Sequence, residues 1–394
     1  MAPAQTTELS NKEEIYQMQK KLIAAAVAGL IAVPALAQTN VTISGRFAAG
    51  WESYKLQDCT TGFSCRNESR VSDQSSRLIF NVVEDLGGGL KAWGQLDYRG
   101  SLDLGALSNG GNSGVGLMGN WGKFTIGRWD VHYGEFAAIE GNRAGSLQTN
   151  LGTGIMSQVS AATGGGLVTL GNGTRTPNLM MWDSPNWNGF TARLAYSTSF
   201  AAAAPGEGSG RSATGTPNPG GGSAWTGTVR YNNGPWTAGV SYWNADTEAR
   251  PAAGASSFDQ DGWKAWAGYT FAMGLKVGLG YDRSNVDRSA VLGDARRSAW
   301  MLPVSYSWGP HAVYAKYAHA GKVSNIANSG AHAWGLGYDY AFSKRTSAGV
   351  YYTKLNNKRG AFYDLFAVPA GNGATATAVG EDVRQIYIGM AHNF

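Results

Sequence analysis

The chain is poor in the residues that most often carry chemistry. It has two cysteines, Cys59 and Cys65, and five histidines among 394 residues. Two thiols with no histidine nearby fall short of the four ligands of a usual zinc site. They lie close together in a Gly/Ser/Thr-rich stretch, and in an exported chain a local Cys59–Cys65 disulfide is the expected state. Long apolar runs are missing too. Beyond residue 36 nothing approaches the ~18 consecutive apolar residues of a helical membrane span. Charged residues make up 15%, with a net charge of +5. That is too mild to imply nucleic acid, but it could bias a narrow aqueous passage towards anions. No glycine cluster has phosphate-loop spacing. His132, His311, His319 and His332 stand in no Ser or Asp motif, and His392 belongs to the terminal segment. A serine nucleophile with a histidine base therefore finds no support. The expectation is no enzyme, no cofactor and no metal.

What is present is aromatic, glycine-rich and alternating. There are 56 Gly, 18 Tyr, 14 Trp and 13 Phe at a mean hydropathy of −0.24. A membrane-spanning β-barrel averages its lipid and lumen faces to such a value. A secreted β-solenoid or sandwich is the soluble competitor. Near the start, Met18 and two lysines precede an apolar run over residues 22–36 and the small-x-small site at Ala35 and Ala37. This reads as a signal peptide over 18–37, with residues 1–17 a miscalled extension and 38–394 the folded unit.

Alternating segments follow at 40–54, 75–84, 90–99, 115–120, 123–127, 178–183, 190–197, 224–231, 236–243, 263–271, 275–281, 298–308, 312–319, 333–342 and 346–354, and the last ends at Phe394. Tight turns alternate with long polar connections, the longest over about 129–174. That is the rhythm of an up-and-down antiparallel barrel of about 16 strands, with short turns on one side and long loops on the other. Along each segment one parity is apolar and aromatic, as in Trp225, Tyr231, Trp236, Val240 and Tyr242. The other holds Thr226, Thr228, Arg230, Lys264, Lys276, Asp282 and Asp339. Those residues would be costly in a dry sandwich core and cost little in a wet lumen. The fold class is therefore all-β, a transmembrane barrel.

Five stretches carry a resemblance: 76–92 (SRLIFNVVEDLGGGLKA), 120–128 (NWGKFTIGR), 183–185 with Gly189 and Phe190, 337–346 (GYDYAFSKRT) and 389–394 (GMAHNF). In this order the chain resembles the general porins of Gram-negative bacteria, of the β-proteobacterial and neisserial type. It departs from them at Trp129, where a Gln is usual, and at Ala391, where a basic residue is common. The resemblance implies a sixteen-stranded homotrimer in the outer membrane, among lipid and lipopolysaccharide, that passes small hydrophilic solutes and ions by diffusion. It also implies that the third extracellular loop, here 129–174, folds into the barrel and narrows it. The ending with Met390, His392 and Phe394 resembles the terminal strand read by the barrel-insertion machinery.

Selectivity in such a pore comes from opposed charges at its narrowest point. Arg46 and Arg77 have lumen parity, and Arg128 would reach the lumen through a bulge at Gly127. Asp130, Glu135 and Glu140, early in the long loop, are the candidate acidic side. Arg143, Arg193 and Arg230 are further lumen candidates. The expected function is general diffusion with a modest anion preference. The alternatives are a channel specific for an organic anion, phosphate or sugar, and an adhesin or phage receptor acting through loops 201–222 and 356–382. A ladder of arginines would favour anions, and a row of lumen aromatics would favour sugars.

Overall fold

The computed structural model describes residues 40–58, 67–141, 143, 147–159, 168–169, 175–198, 223–246, 259–286, 294–365 and 379–394. The leader over 18–37, Cys59, Cys65 and the connection 201–222 lie outside them.

Sixteen antiparallel strands close into a barrel. They are β1 (Asn40–Gln57), β2 in two runs (Asn67–Asp73 and Arg77–Gly87), β3 (Leu90–Ser101), β4 (Ser113–Gly119), β5 (Gly122–Asp130) and β6 (Arg175–Asp183). Next come β7 (Phe190–Ser197), β8 (Ser223–Asn233), β9 (Trp236–Asp246), β10 (Gln260–Thr270) and β11 (Leu275–Val286). The last are β12 (Ala295–Trp308), β13 (His311–Ala320), β14 (Ala331–Ala341), β15 (Thr346–Asn357) and β16 (Asp382–Asn393). Each pairs with its neighbour in sequence, and β16 pairs with β1 over twelve residue pairs, from Arg46 opposite Asn393 to Gln57 opposite Asp382. Gly45 and Phe394 exchange backbone hydrogen bonds of 3.1 Å in each direction. Among the described residues the barrel sheet has no open edge, as a span through lipid requires.

Alternation decides which face is which. Val41, Ile43, Leu194, Val240, Leu279, Ile388 and Met390 point outward and are exposed, whereas Glu52, Lys264, Asp282 and Asp339 point inward and are buried. The molecule is apolar outside and polar inside. Near the short turns Trp182 meets Trp187, Phe190 meets Tyr231, Trp236 meets Tyr269, and Tyr306 stacks on Trp308. Near the long connections Trp225 meets Tyr242, Trp263 meets Tyr281, Trp300 meets Tyr317 and Trp334 meets Tyr352. Two aromatic belts on one barrel mark the two membrane interfaces.

The strands run further towards the long connections than the alternation suggests. The run Asn67–Asp73 pairs with Ala49 to Lys55 although its sequence, NESRVSD, reads as loop. Beyond the lipid band both faces meet water, so the apolar rhythm stops while backbone pairing continues. The break in β2 at residues 74–76 is held by substitutes for ladder bonds. The Gln74 amide donates to the Ala48 carbonyl at 2.7 Å, and Ser76 Oγ accepts from the Ala48 amide at 2.9 Å.

Candidate functional site

The β5–β6 connection decides the character of the interior. From Val131 it forms a 3-10 helix, His132–Ala138, and it packs against inward-facing side chains of β8 to β14. Phe136, Ile139, Leu151, Ile155 and Met156 are buried with Trp266, Met301, Ala318, Ala333 and Leu355 of the wall. Glycines on that wall make the room. A Cβ at Gly278 would lie 2.9 Å from Ile139 Cβ, and one at Gly280 would lie 2.9 Å from the Phe136 ring.

Cations of the same wall hold the connection by its carbonyls. Lys264 Nζ donates to His132 O at 3.3 Å and to Ser157 Oγ at 3.3 Å, and Lys276 Nζ donates to Ala138 O at 2.7 Å. Arg297 donates to Ile155 O and Met156 O, each at 3.0 Å, and pairs with Asp282 at 2.8 Å, both side chains fully buried. Lys316 Nζ lies 3.2 Å from Thr149 O and 3.2 Å from Glu140 Oε1. His132 is buried, its Nδ1 2.8 Å from Ser241 Oγ. Burial, and then the Lys264 ammonium, hold the His132 pKa well below its ordinary value, so the ring is neutral.

The opposite wall is different. Arg46, Arg77 and Arg99 lie directly opposite one another on β1, β2 and β3, in a single row on the inner face. Like charges at such sites destabilise a sheet. Water-filled surroundings make the row tolerable. Arg77 and Arg99 line an open cavity of about 790 Å³ with Arg128, Arg175, Arg193 and Arg230, against the carboxylates Asp73, Asp130 and Glu135. The carboxylates are already engaged: Asp130 with Arg175 at 3.3 Å, and Glu135 with the Arg230 guanidinium through both oxygens. Asp97 pairs with Arg99 at 2.8 Å and Asp183 with Arg193 at 2.6 Å. Arg77 and Arg128 line the cavity without an ion pair among the described residues, and the Nε atoms of Arg46 and Arg77 have no partner.

Of the residues singled out from sequence, Arg77, Arg128, Arg193, Arg230, Asp130 and Glu135 come together at this cavity. Arg46 stands one strand further on, its Nη2 3.3 Å from the Arg143 carbonyl. Arg143 donates its amide to Asp339 at 2.6 Å, clear of the cavity. Glu140 is also elsewhere, accepting the Leu151 and Gly152 amides at 2.7 and 2.9 Å beside Lys316. Gly127 has φ 153°, while the register shift near Arg128 falls on β6, between Thr176 and Leu179. Pro177 sits within that shift and has no amide for the ladder. Arg99 and Arg175 are cavity residues that the sequence reading did not single out. Arg99 shares its parity with Gln95 and Asp97, which was a usable signal. Met390, His392 and Phe394 lie at the seam, with Phe394 5.0 Å from the Phe47 ring and His392 Nδ1 2.9 Å from Thr346 Oγ1. His311 stands beside a short turn, its Nδ1 2.8 Å from the Tyr338 hydroxyl.

Comparison with known proteins agrees with this architecture. The sequence profile described as "Gram-negative porin" matches residues 24–360. "Outer membrane porin protein 32" of Delftia acidovorans is 29% identical over 393 residues, covering 96% of this chain and 100% of the relative. "Major outer membrane protein P.IB" of Neisseria lactamica is 27% identical over 366 residues, covering 87% and 95%. The structure "Anion-selective porin from Comamonas acidovorans" superposes with a TM-score of 0.67 at 23% identity, covering 91% of this chain and 100% of that one. The chain belongs to the Gram-negative porins.

Proposed function

We propose that this outer-membrane porin is a general diffusion pore that prefers anions, and that the arginine wall of β1 to β6 sets the preference. The observation that carries this is the row Arg46–Arg77–Arg99, of which Arg77 and Arg99 line a cavity with four more arginines and three carboxylates. Low-dielectric walls of one sign concentrate counter-ions between them. The β5–β6 connection, lying across from that row, is the proposed constriction, with Asp130 and Glu135 on its acidic side. That a solved relative is called an anion-selective porin supports the same reading. A sugar-specific pathway is disfavoured. The inward tyrosines Tyr314, Tyr351 and Tyr387 stack side by side but are buried. Family and fold point to a channel, and no catalytic role is proposed.

The proposed oligomer is a homotrimer that meets through β2 to β5. Their outward residues are mainly aliphatic, among them Val82, Leu96, Val115, Leu117 and Ile126, and Leu102, Leu104 and Leu107 stand exposed on the adjoining β3–β4 connection. A buried contact explains both better than lipid and water would. The terminal strand, with Met390, His392 and Phe394, is the proposed signal for the insertion machinery.

The test is single-channel recording in a planar bilayer under a KCl gradient. A zero-current potential of chloride sign and closure in three steps are expected. Small conductance blocked at low concentration by one solute would replace the general pore with a specific channel. A potassium-sign potential would end the anion assignment.

A further inference from the structure

The break in β2 carries a residue in an unusual backbone conformation. Ser75 has φ 68°, in the left-handed region. Among the described residues the other non-glycine positions with positive φ are Asp58, Asn178, Asn188, Asn325 and Asn328, types that tolerate it. A serine there is costly, whereas a glycine would meet no steric penalty. The buried neighbours impose the conformation. Gln74 donates its amide to Ala48 O of β1 at 2.7 Å, and its Oε1 accepts the Leu147 amide of the β5–β6 connection at 2.7 Å. Ser76 donates its amide to Asp73 at 3.0 Å, and its carbonyl accepts the Gly100 amide of β3 at 2.9 Å. With both neighbours pinned, the chain turns Ser75 towards the cavity that Arg77 and Arg99 line.

The side chain has a definite task there. Ser75 Oγ accepts from Arg77 Nη2 at 3.2 Å and from Arg99 Nη1 at 2.7 Å. A hydroxyl oxygen has two acceptor sites, and here guanidiniums take both. Arg77 and Arg99 stand directly opposite on β2 and β3, and like charges so placed repel. Left alone, they would turn apart into the water of the cavity. Asp97 pairs with Arg99 at 2.8 Å, and Arg77 has no ion pair among the described residues. Ser75 is the one described side chain hydrogen-bonded to both. Its oxygen is neutral, so it draws the two forks together without cancelling either charge.

We propose that Ser75 is a positioning residue for the anion preference, holding Arg77 and Arg99 as one pincer for the two charges of a small oxyanion such as sulfate. The inference rests on the anion-selective reading and refines it. The number of arginines sets the preference for chloride over potassium. The Ser75 clamp sets the preference for a divalent over a monovalent anion.

The test compares the parent with Ser75→Gly and Ser75→Ala channels in a planar bilayer. Glycine adopts positive φ freely, so Ser75→Gly should fold and keep the parent's thermal stability. Its charges are unchanged, and under a KCl gradient its zero-current potential should keep chloride sign. Sulfate, added to the chloride current at constant ionic strength, should block the parent. It should block Ser75→Gly about fivefold less tightly, the worth of one net hydrogen bond. Ser75→Ala keeps the costly backbone and loses the same oxygen, and its block should weaken equally. A residue that only shaped the chain would separate the two variants, because glycine relieves the backbone and alanine does not. Parent-like block in a conducting Ser75→Gly or Ser75→Ala channel overturns the proposal. A parent channel that sulfate does not block overturns it whether or not either variant folds. Each of these results leaves the chloride-sign potential of the parent, and with it the pore reading, standing. A potassium-sign potential of the parent removes both.

Discussion

The two halves of the inner wall use the same residue types to opposite ends. On β10 to β13, Lys264, Lys276, Arg297 and Lys316 point inward and donate to carbonyls of the β5–β6 connection. On β1 to β5, Arg46, Arg77 and Arg128 also reach the inner side, but there they make no ion pair among the described residues, and Arg46 and Arg77 donate only to neutral oxygens. One set of cations builds a partition and the other lines the passage beside it. A lumen charge is thus not by itself a selectivity residue; what lies over it decides.

The comparison breaks first if the arginine row is removed. Replacing Arg46, Arg77 and Arg99 together with Gln should lower the chloride-to-potassium permeability ratio by about tenfold, read from zero-current potentials. Folding should survive, because repulsion between neighbours is relieved and Asp97, which loses its Arg99 partner, keeps the Asn112 amide and can accept from the amide of the introduced Gln. A folded channel with an unchanged permeability ratio would reverse the roles of the two walls.

Next in size is Arg297→Met on the anchoring side. It leaves Asp282 buried and unpaired, a cost of about 3–5 kcal/mol. Lower thermal stability and a noisier open channel are expected, with selectivity close to the parent's. Gly278→Val attacks the same contact by volume. Its side chain would meet Ile139, and overpacking of this kind costs about 1–3 kcal/mol. Altered conductance with a folded barrel would identify a displaced connection, and an unchanged current would mean that the contact does not shape the passage.

The smallest effect concerns His132. Its folded pKa is depressed, so the unfolded form takes up a proton first as pH falls. The docking it supports is complete above about pH 6.5 and declines below it. Channel noise should therefore rise on acidification, and less so in His132→Asn, which keeps a hydrogen-bonding partner for Ser241. Equal acid sensitivity in the two proteins would remove His132 from the account.

Much of this was legible in the chain, for identifiable reasons. Alternation with period two marks Val41, Ile43 and Ile388 as outward and Arg46 and Arg77 as inward, because one face meets lipid and the other water. Where both faces meet water the signal fails, which is why Asn67–Asp73 read as loop. Arg175 escaped because the Pro177 irregularity separates it from the alternating part of its strand. Parity also cannot distinguish Lys264 from Arg77. Both point inward, and the difference lies in a contact with His132, 132 residues away in sequence. Glu140 looked like Asp130 and Glu135, yet it holds amides of its own loop, a fold-level fact with no local trace.

The row Arg46–Arg77–Arg99 also has a slope. Neighbouring strands are about 4.8 Å apart, and strands of such barrels tilt by about 40° from the membrane normal. A line drawn straight across three strands is therefore a ramp, dropping about 3 Å along the channel axis at each step. An anion handed from one guanidinium to the next would travel around the wall and through the membrane in the same movement. The strand tilt would then fix the stride of the ion.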